Sequence, residues 1–404
     1  MSRPDLRARV EAARAQRERE GLLRRSRTCD VTADGHRLVD GRRLVDFCGN
    51  DYLGLARHPD LVAALTRAAA LEGVGTGAAH LVCGHRGEHA ALEEELADWT
   101  GRQRAVLFST GVMANLGALQ GLLGAGSLPG RGDALCVQDR LNHASLIDGA
   151  QLAGAELRRY PHGDAEAAAR QLDARPDHPA LLATDGVFSM DGDIAPLAAL
   201  AALCRERHAL FYVDDAHGLG VMGPEGAGSV AAAGLDAKQV PVLMGTLGKA
   251  LGTAGAFVAG DASLIEAIVQ FARPYIYTTA MPAALAAATR ASLRLVRADK
   301  DGRREQLTAH IDRFRAGARQ LGLAVMPSRT AIQPLLVGSA EAALGASRAL
   351  EAAGFLVIAI RPPTVAQGAA RLRITLSAAH SPAQIDALLD ALSRLPGPAG
   401  TAAV

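Results

Sequence analysis

RAVLFSTGVMANLGALQGLL (104–123) reads as a buried strand, RAVLFST, then a glycine turn, then a helix over VMANLGALQGLL. The unit returns along the chain. ALCVQD (134–139), ALLATDG (180–186), ALFYVDD (209–215) and PVLMGTL (241–247) are further short apolar runs, and HASLIDGAQLAG and APLAALAALCRERH between them have helical spacing. Strands alternating with helices predict an α/β domain over 46–290 with a mostly parallel, doubly wound sheet. Ligands of such sheets gather at the carboxyl ends of strands, so residues just past each strand are the candidates for chemistry.

After about Arg290 the rhythm changes. SLRLVRADKDGRREQLTAHIDRFRAGARQL (292–321) reads as one charged helix, followed by strands in AIQPLLVG, LVIAIRPP and ARLRITLSA and by helices near Glu341 and over SPAQIDALLDALSRL. This predicts a smaller α+β domain over 291–395, with an N-terminal helix and arm over 1–45 and a flexible tail over 396–404.

Composition narrows the function. The chain has 404 residues, 43 basic and 42 acidic, for a net charge of +1. Such balance provides no long-range field for nucleic acid or an anionic membrane, so any anion must be held by local groups. Aromatic residues are 3% while glycines number 43, which disfavours a binder built on aromatic stacking and favours a Gly-rich enzyme. Five cysteines without a CxxC pair suggest neither a disulfide framework nor a zinc site and suit a reducing cytoplasm. The Arg-rich N-terminus is interleaved with acids and lacks an apolar core, so it predicts a surface helix rather than a targeting peptide. No apolar run approaches the ~18 residues of a membrane span.

Four strand ends carry chemistry-bearing residues. MGTLGKALG (244–252) places Lys249 in an apolar, Gly-rich setting, where an amine with a lowered pKa can form a Schiff base; an exposed lysine is the plain alternative. YVDDAHGLG (212–220) sets Asp214 and His217 at the end of a buried strand. They could hold a pyridine nitrogen protonated, form a simple turn, or join Asp215 in a metal hydrolase, although no third ligand is spaced for zinc. STGVMANLG (109–117) offers a helix start that binds phosphate through backbone N–H groups. RLNHASLIDG (140–149) adds His143. Together these are the parts that pyridoxal 5′-phosphate (PLP) requires, with no metal.

With NDYLGL (50–55), LEEELADW (92–99), GVFSMDGD (186–193), QFARPYIYTTAMP (270–282) and RLRITLSAAH (371–380) in the same order, the chain resembles the α-oxoamine synthases, a family of fold-type-I PLP-dependent transferases. The resemblance implies that Lys249 carries PLP, Asp214 pairs with its ring nitrogen, His217 contacts its phenolic oxygen and His143 stacks on its face. It implies phosphate contacts from Gly111, Val112 and Thr246, with Thr278 and Thr279 reaching in from a second subunit, and support from Ser189. Arg373 is expected to bind the amino-acid carboxylate, and Arg24, Arg361 and Thr364 to contact substrate. AIQPLLVG (331–338) and AIRPPTV (359–365) most resemble family members that condense L-alanine with a pimeloyl thioester of CoA or acyl-carrier protein. A sister enzyme acting on glycine and another acyl-CoA, and a catalytically silent PLP-binding module, are the alternatives. Val112 stands where relatives often have an aromatic residue, and Ala79 and Cys83 where they often have serine.

Overall fold

The computed structural model describes residues 3–32, 35–125 and 133–395; the tail expected over 396–404 lies outside these. Helix α1 (Leu6–Arg19) begins at Asp5, whose carboxylate accepts from Arg7 N–H, and none of its side chains is buried. Strands β1 (Cys29–Val31), β2 (Arg37–Val39) and β3 (Arg42–Asp46) form an antiparallel meander. Helices α2 (Pro59–Glu72) and α3 (Gly87–Trp99) then lead to the central sheet.

That sheet is laid down as β4 (Arg104–Phe108), α4 (Gly111–Leu123), β5 (Leu135–Asp139), α5 (Ala144–Leu152), β6 (Glu156–Tyr160), α6 (Ala165–Asp173), β7 (Ala180–Asp185), α7 (Leu197–Glu206) and β8 (Leu210–Asp214). The short α8 (Ser229–Ala232), β9 (Val242–Thr246) and β10 (Ala256–Gly260) complete it. The strand order is β4-β10-β9-β8-β7-β5-β6, with β10 antiparallel to both neighbours and the rest parallel. The expected α/β class and mostly parallel sheet are therefore present. Two of its strands, β6 and β10, have no counterpart in the sequence reading. β6 (ELRRY) lies at the sheet edge and is largely polar, and β10 (AFVAG) is a short run between glycines.

The order reverses between β5 and β7, and the parallel strands β5, β7, β8 and β9 end on one carboxyl edge. Register pairs Asp214 with Asp185 on one side and with Met244 on the other, so two acids emerge side by side at the carboxyl edge. Close packing fixes this edge. A methyl group on Gly245 would come within 2.1 Å of Leu219 Cδ1 and 2.6 Å of Phe257 Cε1.

Beyond α9 (Ala262–Phe271) and α10 (Arg273–Ile276), the 292–321 stretch is two helices, not one. α11 (Ala283–Ala298) stops at Asp299 with φ 39°, and α12 (Arg303–Gln320) starts after Gly302 with φ 63°. The left-handed pair ends one axis and begins another. A three-stranded antiparallel sheet follows in the order β11 (Ile332–Gly338), β14 (Ala370–Thr375), β13 (Ile358–Ile360), with α13 (Ala340–Ala352) and α14 (Pro382–Ser393). β12 (Phe355–Leu356) instead pairs in parallel with β3, tying the N-terminal meander to this region.

The packing around Gly245 generates a test. Gly245→Ala should cost about 1–3 kcal/mol by overpacking the end of β9, read as a lowered unfolding midpoint in urea; an unchanged midpoint would show that Leu219 and Phe257 yield freely.

Candidate active site

A cavity of about 200 Å³ opens at the carboxyl edge of β7, β8 and β9. Its walls include Gly111, Val112, His143, Ser189, Asp214, His217, Thr246 and Lys249. The structure thus gathers eight of the sequence-derived residues in one place.

Asp214 is buried and its charge is met by short hydrogen bonds. Oδ2 accepts from Asn115 Nδ2 at 2.7 Å and Oδ1 from Ala216 N–H at 3.0 Å. Asn115 accepts in turn from Tyr212 OH at 2.7 Å and donates to Ser145 Oγ at 2.9 Å. Ser145 Oγ–H then donates to His143 Nδ1, 2.7 Å away, which also accepts from Ser145 N–H. With Nδ1 filled as an acceptor, the neutral imidazole of His143 carries its proton on Nε2.

A second relay starts at the amine. Lys249 Nζ lies 2.9 Å from His217 Nε2, and His217 Nδ1 lies 2.7 Å from Tyr52 OH. Tyr52 donates to Asn50 Oδ1 at 3.2 Å, which also accepts from Arg373 Nη2. Burial, reinforced by Lys249 and Arg373, holds the His217 pKa well below the usual histidine range. His217 is therefore neutral, accepting from Lys249 and donating to Tyr52. Burial also lowers the Lys249 pKa to about 8, against the pull of Asp214 and Asp185. Asp185 is pushed the other way, well above the carboxylate range, by burial and by Asp214.

Arg373 sits buried on β14, and its Nε donates to Ser189 O at 2.6 Å. At the first turn of α4, Thr110 caps the helix by accepting from Met113 N–H. The N–H groups of Gly111 and Val112 are helix-start donors that no carbonyl of the helix can reach. Thr246 Oγ1 donates to Gly255 O and lies on the same wall.

The remaining residues lie elsewhere. Arg24, Arg361 and Thr364 come together around another cavity, of about 340 Å³, with Leu22, Ile358 and Ile360. Thr278 and Thr279 line neither cavity; Thr279 is exposed and bridges Ala79. Asp215 is turned away from Asp214, its oxygens taken by Ser229 N–H and Oγ at 2.7 Å each, so the set Asp214, Asp215, His217 does not converge on a metal. His80, His85 and His89 do cluster. His89, however, accepts from Arg86 N–H and donates to Met281 O, which leaves it no lone pair for a metal.

Asn115, Ser145, Asp185, Tyr52 and Asn50 were not singled out from the sequence as site residues. Asn115 had left a signal, a lone amide within an apolar helix. Asp185 had none, since its partner lies on the next strand.

The residues fit PLP. Asp214, fixed by two donors, suits a protonated pyridine nitrogen; a buried amine of lowered pKa lies across the cavity; helix-start N–H groups and Thr246 suit a phosphate.

The low pKa of Lys249 is directly measurable. Acylation of Nζ should rise with pH to a midpoint near 8 rather than in the ordinary lysine range. Asp214→Asn, removing a charge that favours the ammonium, should move the midpoint lower. An unshifted midpoint would contradict the burial of this amine.

The aminotransferase class I and II family profile matches residues 42–392. An 8-amino-7-oxononanoate synthase of Stenotrophomonas maltophilia is 56% identical over 97% of this chain and 95% of its own length. One from Thioalkalivibrio sulfidiphilus is 56% identical over 94% of this chain and 95% of its own. Among solved structures, a Sphingomonas wittichii serine palmitoyltransferase superposes with a TM-score of 0.89 at 30% identity, covering 96% of this chain and 98% of that one. The 8-amino-7-oxononanoate synthase of Francisella tularensis gives 0.74 at 30% identity, covering 87% and 97%. The chain belongs to the aminotransferase class I and II family, in its 8-amino-7-oxononanoate synthase branch.

Proposed function

We propose that this chain catalyses the decarboxylative condensation of L-alanine with a pimeloyl thioester, of CoA or acyl-carrier protein, giving 8-amino-7-oxononanoate, CO2 and free thiol for biotin synthesis. The observation that carries the reading is the pairing of a buried, donor-fixed Asp214 with a buried amine of pKa about 8 across one cavity. The 56% identity to 8-amino-7-oxononanoate synthases supports the choice of substrates over those of a glycine-using sister enzyme.

Lys249 would hold PLP through Nζ, Asp214 its ring nitrogen, and Gly111, Val112 and Thr246 its phosphate. When bound, PLP supplies an electron sink for negative charge at the amino acid's α-carbon. Around it the chain's own groups do the following. Arg373 orients the alanine carboxylate. Lys249, with its pKa near neutrality, accepts the α-proton. His217, neutral and braced by Tyr52, keeps Nζ in place. His143 points Nε2–H at the acyl carbonyl, stabilising oxyanion charge as the new carbon–carbon bond forms and the thiol leaves. Loss of the alanine carboxylate as CO2 and return of a proton complete the reaction.

Arg24, Arg361 and Thr364 would contact the distal part of the acyl donor at their own cavity. Thr278 and Thr279 would complete the phosphate site of a second subunit, making the enzyme a homodimer with shared sites. Exposed Leu71, Val74, Val82 and Tyr277 support such an interface. A cytoplasmic setting suits five free cysteines. No helix among the described residues is long and apolar enough to cross a membrane.

The test is release of labelled CO2 from carboxyl-labelled L-alanine. It should require pimeloyl thioester, and glycine should replace alanine poorly. Lys249→Ala should abolish release, and Asp214→Asn should slow it at least ~100-fold, since each ~1.4 kcal/mol of lost carbanion stabilisation is a factor of ten. Near-normal turnover in Lys249→Ala would refute the mechanism. Sedimentation should give twice the 41.8 kDa chain mass; a fully active monomer would remove the threonines from the site.

A further inference from the structure

Two walls of the cavity are joined from outside it. β5 ends at Asp139, and the turn that follows brings in His143; β7 runs into the 186–194 loop that carries Ser189. His162, just past the end of edge strand β6, lies between them. Its Nδ1 is 3.0 Å from Asp139 Oδ1 and its Nε2 is 2.7 Å from Asp193 Oδ2. Phe188 meets the ring edge-on, with centroids 4.4 Å apart and an interplanar angle of 89°. The two carboxylates raise the His162 pKa to about 10, so both ring nitrogens donate at neutral pH.

Each anchor is itself tied down. Asp139 also accepts from Leu141 N–H and Gly163 N–H, at 2.8 Å each, fixing the start of the His143 turn. The loop closes on itself through Phe188 N–H to Asp193 O and Gly192 N–H to Phe188 O. On its other side it meets β14, where Arg371 pairs with Asp191 and Arg373 donates to Ser189 O. The loop is thus gripped from β14 on one side and by one imidazolium on the other.

We propose that His162 is a positioning residue: by bridging Asp139 and Asp193 it sets the spacing between the His143 turn and the Ser189 loop. It lies outside the cavity and acts only through those two segments. The proposal rests on the reading of the cavity as the site that takes L-alanine.

Hydrogen–deuterium exchange on the full-length, cofactor-free protein, with steady-state kinetics on the holoenzyme, tests it. His162→Ala should speed exchange in peptides over both 140–146 and 186–194, and should lower kcat/KM for L-alanine about 10-fold while PLP is retained. Asp193→Asn, which weakens only one arm, should speed exchange over 186–194 and leave 140–146 as in the wild type. Unchanged exchange overturns the proposal, and so does faster exchange with wild-type kcat/KM. Should His162→Ala fail to fold, Asp193→Asn decides between these outcomes on the same two readouts. Wild-type protein without alanine-dependent CO2 release would refute the function instead, and exchange would still judge the bridge.

Discussion

A carboxylate buried at the end of a strand is costly unless donors meet it, and Asp214 is such a group with a second buried acid, Asp185, beside it. Much of the site follows from that constraint. Asn115 is turned inward from α4 to donate to Asp214, and once inside it needs Tyr212 and Ser145 to complete its own bonding. Ser145 then fixes which nitrogen of His143 carries the proton. Asp185 responds by the other route available to a buried acid beside a charge, with its pKa driven upward by burial and by Asp214. One strand-end carboxylate thereby sets the hydrogen-bond polarity of an imidazole on a different helix.

The sequence shows best what depends on neighbours in the chain. Apolar runs with β-branched residues mark β7, β8 and β9, and Lys249 and His217 stand out because each breaks a Gly-rich or apolar pattern just past a strand. β6 escapes because an edge strand is free to be polar, as ELRRY is. The break in 292–321 depends on two left-handed residues, Asp299 and Gly302, within a stretch whose side-chain periodicity runs on across them. Asp185 and Ser145 were illegible for another reason. Their roles are set by sheet register and helix phase, which bring Asp185 to Asp214 and Ser145 to Asn115 from separate segments. The division of Arg24, Arg361 and Thr364 from the main cavity is likewise a matter of where β13 lies, and spacing along the chain carries no trace of it.

The net charge of +1 ruled out capture of anions by a long-range field, and the cavity shows how local charge takes its place. Around Lys249, Arg373 disfavours the charged ammonium while Asp214 and Asp185 favour it, and burial holds His217 well below the usual histidine range. The helix-start N–H groups of α4 add a partial positive charge at the same edge. An anionic cofactor and an amino-acid carboxylate are drawn to the same small region although the chain as a whole is almost neutral. The same balance explains the depressed lysine. A fully charged ammonium beside Arg373 in a desolvated pocket would add repulsion to its burial cost, and only the Asp214 and Asp185 side pulls against that. A base poised near neutral pH is what this balance of buried charges leaves behind.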